Sequence, residues 1–219
     1  MFAQMNEQDI QNLRQDYRSS SLLEADVAAN PIDQFNKWFN QAIAAGVHEP
    51  NAMTLATATT DGRPSARVVL LKGFNNEGFV FYTNYLSRKG KELAKNPLGA
   101  LVFFWGDVER QVRIEGTIEK VSKEKSEAYF HTRPFGSQIG AVVSPQSREI
   151  EGREELEQHW QNVEKELEGQ TVPKPSHWGG YVLKPRIIEF WQGRTSRLHD
   201  RIVYKKVDNK NWKIVRLAP

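Results

Sequence analysis

From residue 53 to residue 121 the period changes to two, in short runs rich in Val, Leu, Phe and Thr, at 53–59, 66–74, 79–83, 100–105 and 111–121. A period of two puts one face of a strand in a core and the other toward solvent, a pattern no amphipathic helix can satisfy. Thr60-Asp61-Gly62 and Asn75-Asn76-Glu77-Gly78 separate runs as hairpin connections. The pattern returns at 180–183, 187–192, 201–207 and 212–217, with Asp208-Asn209-Lys210-Asn211 as a turn. Seven or more short strands at hairpin spacing predict a mainly β, α+β chain built as a barrel or sandwich rather than a βαβ sheet.

Helices are expected at the periphery. Asn30, Pro31 and Asp33 read as an N-cap with proline in the first turn, and Ile32, Phe35, Trp38, Phe39 and Ile43 mark one apolar helical face that Gly46 ends. Further short helices are expected at 87–95, 123–131 and 153–168. Ile10, Leu13 and Tyr17 lie at helical spacing in an otherwise polar stretch, so residues 1–20 are expected to form a mobile N-terminal segment that can serve as a lid, and 21–219 a single domain.

Composition removes several classes of function. The 219 residues are 39% hydrophobic and 26% charged, ordinary globular usage for a chain able to bury a core without staples. With no cysteine there is no disulfide, thiolate nucleophile, iron–sulfur cluster or cysteine-built zinc site. Together with the lack of an apolar run behind basic residues at the N-terminus, this predicts a cytoplasmic protein. No stretch nears the roughly 20 apolar residues that span a bilayer, so no membrane partner is expected. The net charge of +3 is spread over Lys and Arg interleaved with Glu, which favours local anion sites over a nucleic-acid groove. Neither G-x-G-x-x-G nor G-x-x-x-x-G-K-[ST] occurs, and the five histidines show no metal-ligand spacing, so no metal is expected.

The candidate anion sites are specific. Arg67 and Lys72 bracket the apolar Val68, Val69, Leu70 and Leu71. Tyr82, Thr83, Ser87, Arg88 and Lys89 fall where a strand ends and a helix opens, a place that favours phosphate. Tyr129, Arg133 and Ser137 follow at four-residue steps, although Pro134 argues against one continuous helix. Gln111, Gln146 and Ser147 offer neutral donors and acceptors for a ring edge. After the apolar run that ends in Phe190, Trp191 and Gln192, a turn carries Arg194, Arg197, His199, Asp200 and Arg201; if extended, Arg197, His199 and Arg201 share one face. On the residues alone, solvated arginines and caps remain alternatives throughout, and Trp191 is more often core than a stacking surface.

Taken together, these segments resemble the FMN-dependent pyridoxine (pyridoxamine) 5′-phosphate oxidase family, from about Pro31 to Pro219 and most specifically at 67–72, 81–89, 109–112, 137–140, 190–193 and 197–201. The resemblance implies an FMN-binding split β-barrel and a homodimer with active sites at the subunit interface. It implies FMN contacts from Arg67, Val68, Val69, Leu70, Leu71, Lys72, Tyr82, Thr83, Arg88, Lys89, Gln111, Gln146, Ser147, Trp191 and Arg201. It places Lys72, Tyr129, Arg133 and Ser137 at the substrate phosphate, and Arg197 and His199 at the reacting end as catalytic residues, with Arg14 and Tyr17 in a segment that closes over the substrate. The implied reaction oxidises pyridoxine 5′-phosphate or pyridoxamine 5′-phosphate to pyridoxal 5′-phosphate, with O2 as acceptor, H2O2 as product and ammonia released from the amine. The alternatives are another split-barrel FMN oxidoreductase with a different substrate, and a non-catalytic ligand- or nucleic-acid-binding protein.

Overall fold

The computed structural model describes residues 6–13, 16–18, 20–208 and 211–219. Two compact units form: Met1–His48, Phe104–Val112 and Glu189–Pro219 make the smaller, Glu49–Phe103 and Arg113–Ile188 the larger.

The larger unit is organised by a sheet ordered β2-β1-β5-β6-β7-β4-β3. Its strands are β1 (Ala52–Ala58), β2 (Pro64–Leu70), β3 (Gly73–Asn75), β4 (Gly78–Asn84), β5 (Leu98–Trp105), β6 (Arg110–Lys120) and β7 (Trp178–Gln192). Both predicted hairpins form, with Ala58 opposite Pro64 and Asn75 opposite Gly78. Gly78 is required: its φ is +142° and a Cβ would collide with the Leu183 carbonyl. Alternation along β1 buries Met53, Leu55 and Thr57, and Phe79, Phe81, Leu101, Phe103 and Leu183 complete the same apolar core, each large side chain contributing about 1.5–3 kcal/mol on burial.

Two strand boundaries differ from expectation. The run 66–74 divides because the backbone changes partner: the Leu71 N–H donates to Asn51 O, whereas the Lys72 N–H donates to Val80 O, both at 2.8 Å. Conversely 180–183 and 187–192 form one strand, β7, in which Pro185 forfeits a ladder donor without ending the element.

Helix α3 (Arg88–Lys95) starts directly off β4, with the Ser87 Oγ accepting from the Gly90 N–H. Helix α4 (Lys123–Thr132) is capped by Ser122. Arg133 is extended before Pro134, as the proline ring demands, and a helix absent from the sequence expectation follows, α5 (Phe135–Val143). Helix α6 (Arg153–Glu166) packs on α5, where Trp160 lies beside Gly136 and Gly140.

In the smaller unit, α1 (Glu7–Asn12) carries an Asn6/Asp9 capping box and ends before Leu13, so the helical expectation does not reach Tyr17. Helix α2 (Pro31–Ala44) begins as predicted, with Asn30 Oδ1 accepting from the Ile32 N–H at 2.8 Å. It buries Ile32, Phe35, Trp38 and Ala42; Ile43, 51% exposed, falls off that face. Strands β8 (Asp200–Lys206) and β9 (Trp212–Arg216) pair antiparallel, and Phe190 packs edge-on against Trp38 and Tyr204. Among the described residues, no helix is long and apolar enough to cross a membrane.

Candidate functional site

The larger unit holds a cleft of about 590 Å³ between the β2 and β4 ends and α4–α5. That volume suits a cofactor-sized ligand. Val68, Val69, Leu70, Lys72, Tyr82, Thr83, Lys89 and Gln146 line it from one set of expected positions, and Tyr129, Arg133 and Ser137 from the other. Among the described residues, three cations and no carboxylate line the cleft, which selects for anions.

Arg133 is the sharpest feature. Its Nη1 is buried without a hydrogen-bond partner among the described residues. Its guanidinium lies 4.6 Å from the Trp178 ring centroid, a cation–π contact, and burial pushes its pKa down, partly offset by Tyr129. A buried charged donor left unpaired is costly, so the atom fits a ligand oxygen. Tyr82, Tyr129 and Trp178 form a near-parallel stack, with 3.9 Å between the Tyr82 and Tyr129 centroids and 5.4 Å between those of Tyr82 and Trp178. The break at Arg133 and Pro134 aligns Tyr129, Arg133 and Ser137 on one cleft although they occupy two helices and a joint. No side chain caps α5, which leaves its first-turn amides to an anion near Ser137.

A second polar cluster surrounds Arg67, which donates to Leu55 O, Thr57 Oγ1, Ser65 Oγ and Glu92. Lys89 Nζ and Thr83 Oγ1 both donate to Gln146 Oε1, at 3.1 and 3.2 Å. Burial, then the charge of Arg67, lowers the Lys89 pKa against the pull of Glu92. Arg88 and Ser147 line a separate groove of about 640 Å³ with Arg63, Lys91, Glu92 and Lys95. Leu71 is buried, and Val68 is 68% exposed.

The remaining expected residues lie in the smaller unit. Tyr17 meets Trp191 edge-on at 5.7 Å, and Trp191 lies 4.6 Å from the His199 ring. Gly193 makes room for this: a Cβ there would sit 2.7 Å from the Tyr17 ring. His199 Nδ1 accepts from the Arg194 N–H at 3.1 Å, so a neutral ring carries its proton on Nε2. Burial, then the Arg197 charge, lowers the His199 pKa. The expected shared face of Arg197, His199 and Arg201 is not formed, because Thr195–Arg197 is a 3-10 turn with Ser196 and Arg197 at positive φ and only Asp200 onward is strand. Arg201 instead grips Glu189 with two bonds, 2.9 and 3.1 Å, and the Ala218 carbonyl with a third. Asp200 holds Arg194, Arg216 and the Leu22 N–H rather than His199. Gln111 is half-buried on β6. Arg14 lies outside the described residues.

Sequence reasoning missed Trp178, Asn84 and Ser144, which line the cleft, and Glu92, which binds both Arg67 and Arg88. Only Glu92 had a signal, its i,i+4 spacing from Arg88.

Known proteins resemble this chain along most of its length. Residues 39–166 match the family profile described as pyridoxamine 5′-phosphate oxidase, and residues 178–219 the pyridoxine 5′-phosphate oxidase C-terminal dimerisation region. A pyridoxine/pyridoxamine 5′-phosphate oxidase of Acaryochloris marina is 57% identical over 210 residues, covering 96% of this chain and 95% of the relative. One of Nostoc punctiforme is 58% identical, covering 96% and 98%. Among solved structures, PhzG from Burkholderia lata in complex with tetrahydrophenazine-1-carboxylic acid superposes with a TM-score of 0.86 at 32% identity, over 92% of this chain and 100% of that one. An FMN-binding, pyridoxamine 5′-phosphate oxidase-related protein of Nostoc punctiforme gives 0.68 at 15% identity over 84% and 97%, a likeness of fold. The expected split β-barrel with peripheral helices is therefore the fold of this chain. With profile matches over residues 39–166 and 178–219 and relatives above 50% identity over 96% of its length, the chain belongs to the pyridoxine/pyridoxamine 5′-phosphate oxidase family of oxidoreductases.

Proposed function

We propose that the chain oxidises pyridoxine 5′-phosphate and pyridoxamine 5′-phosphate to pyridoxal 5′-phosphate, using FMN and O2. The observation that carries this reading is the unpartnered, buried Nη1 of Arg133 in a cleft with Lys72 and Lys89 and without a carboxylate. Both FMN and these substrates carry a phosphate, and the larger unit offers two cation-and-hydroxyl clusters.

FMN is the cofactor. The donor set fits it: Lys89 in the cleft and Arg88 and Ser147 in the neighbouring groove, with the Arg67 charge held by the same Glu92 as Arg88, suit its phosphate, Thr83 and Gln146 its polar edge, and Val68, Val69 and Leu70 with Tyr82 its apolar flank, Leu71 and Lys72 completing that segment. Gln111, Trp191 and Arg201 belong to the same proposal. When bound, FMN supplies the removal of a hydride equivalent from the substrate and its delivery to O2, which leaves as H2O2.

The protein's part is binding, orientation and proton placement. Lys72, Tyr129, Arg133 and Ser137 hold the substrate phosphate and so set the ring's position. Arg197 steadies charge at the reacting end, and His199, neutral with its proton on Nε2, donates a hydrogen bond to the group being oxidised. Tyr17, with Arg14, belongs to an N-terminal segment that closes over the substrate. The protein works as a homodimer through residues 178–219, with active sites at the subunit interface.

The test is the visible spectrum of protein supplied with FMN under anaerobic conditions, before and after pyridoxine 5′-phosphate or pyridoxamine 5′-phosphate. Loss of the flavin band at about 450 nm is expected, a property of the cofactor itself. Retention of the band with both substrates removes the substrate assignment. The likeness to PhzG favours a second reading, oxidation of a carboxylate-bearing ring system, and bleaching by such a compound alone selects it.

A further inference from the structure

Glu92 is a buried carboxylate, its side chain 5% exposed, on the α3 face that meets β1 and β2. It gathers four donors: Thr57 Oγ1 at 2.5 Å, Ser65 Oγ at 2.6 Å, Arg88 Nε at 2.9 Å and Arg67 Nη2 at 3.4 Å. Desolvation pushes its carboxyl up, but the bonds from Ser65, Thr57 and Arg88 and the charge of Arg67 outweigh this and hold it at about 2.

The two arginines it holds are left in different states. Arg67 spends its terminal nitrogens inside the protein, Nη1 on Leu55 O and Thr57 Oγ1, Nη2 on Ser65 Oγ and Glu92. It is a fixed, largely buried charge, both of its terminal nitrogens spent on the protein. Among the described residues Arg88 is tied through Nε alone, which leaves both its terminal nitrogens available, on a side chain 63% exposed to the groove that Ser147 also lines. Without the carboxylate, two guanidiniums would repel each other across a neutral gap and Arg67 would lose its one charged partner among the described residues.

We infer that Glu92 is a positioning residue for the cofactor's phosphate: by gripping Arg67 and the Nε of Arg88, it fixes Arg67 as a point charge and presents Arg88 as the hydrogen-bonding hand. This rests on the reading of the cluster as the FMN phosphate cradle. The carboxylate thus strengthens anion binding through geometry, despite carrying the same sign of charge as the ligand.

Titrating full-length apoprotein with FMN and with riboflavin, which lacks the phosphate, tests this by quenching of flavin fluorescence. The unaltered protein should prefer FMN. Glu92→Gln should raise the Kd for FMN by about tenfold or more, the loss of a well-aligned charge-assisted contact, and leave the Kd for riboflavin within about twofold. Glu92→Asp, which keeps the charge, should recover part of the difference. An unchanged or lowered Kd for FMN in Glu92→Gln overturns the inference, as does an equal loss for both flavins, which marks a merely structural role. If the unaltered protein fails to distinguish FMN from riboflavin, the cradle itself is misassigned. Should Glu92→Gln not fold, Ser65→Ala removes one bond to the carboxylate and one to Arg67, and carries the same comparison at about threefold.

Discussion

Arg133→Ala removes the most exactingly placed charge in the cleft. Hydrogen bonds to a charged group contribute about 1.5–3 kcal/mol, so losing the Nη1 donor should lower kcat/KM for the phosphorylated substrates by about ten- to a hundredfold. Folding should barely change, because two effects oppose. The variant gives up the contact with Trp178, worth about 0.5–2 kcal/mol at 4.6 Å, but it also relieves the cost of burying an unpaired donor. The melting temperature should therefore move by no more than about 3 °C. Steady-state kinetics with pyridoxine 5′-phosphate beside unphosphorylated pyridoxine separates the causes, since only the former should suffer. Arg133→Lys restores a point charge without the planar fork and should fall between. Equal losses on both substrates would show that Arg133 supports the cleft rather than the phosphate.

The His199 pKa is lowered by burial and then by Arg197. The unfolded chain therefore takes up the proton first as pH falls, and this group's contribution to stability is complete above about 6.5 and lost below it. Arg197→Met should raise the His199 pKa and move the acid limb of the kcat/KM profile to higher pH; an unmoved limb would show that His199 does not set it. Glu189→Gln breaks the two-bond grip on Arg201, whose pKa is raised by that hydrogen bond. Allowing for Arg201's partial exposure, the loss should be about 2 kcal/mol, seen as a fall in Tm of about 4–8 °C. An unchanged Tm by calorimetry would remove this pair from the fold's stabilising contacts.

Local rules made most elements readable in advance. The Asn30-Pro31 start of α2 and the hairpins around Gly62 and Gly78 depend on backbone preferences of a few residues, and each formed where those preferences put it. Helix α5 was missed because Pro134 was weighed only as a breaker, whereas it also starts a helix well. The break at Leu71 was invisible because it follows from a change of hydrogen-bonding partner, from Asn51 to Val80. Tyr129, Arg133 and Ser137 were legible as a set, since residue type and spacing survive the joint between α4 and α5. The aromatic plate beneath Arg133 was not, because Trp178 arrives from 45 residues downstream and is part of the β4–β7 pairing. The expected common face of Arg197, His199 and Arg201 failed for the opposite reason, as local backbone strain overrode a regular spacing.

That strain has an evolutionary consequence. Ser196 and Arg197 occupy the left-handed region in succession, at φ of 54° and 60°, where a side chain costs about 1–2 kcal/mol per residue. Glycine at 196 would relieve part of this and would also free the turn to wander. A library of this chain sorted for heat resistance alone should therefore accumulate Ser196→Gly early, whereas one sorted for turnover should reject it, making position 196 a place where durability and catalysis draw on the same few kcal/mol.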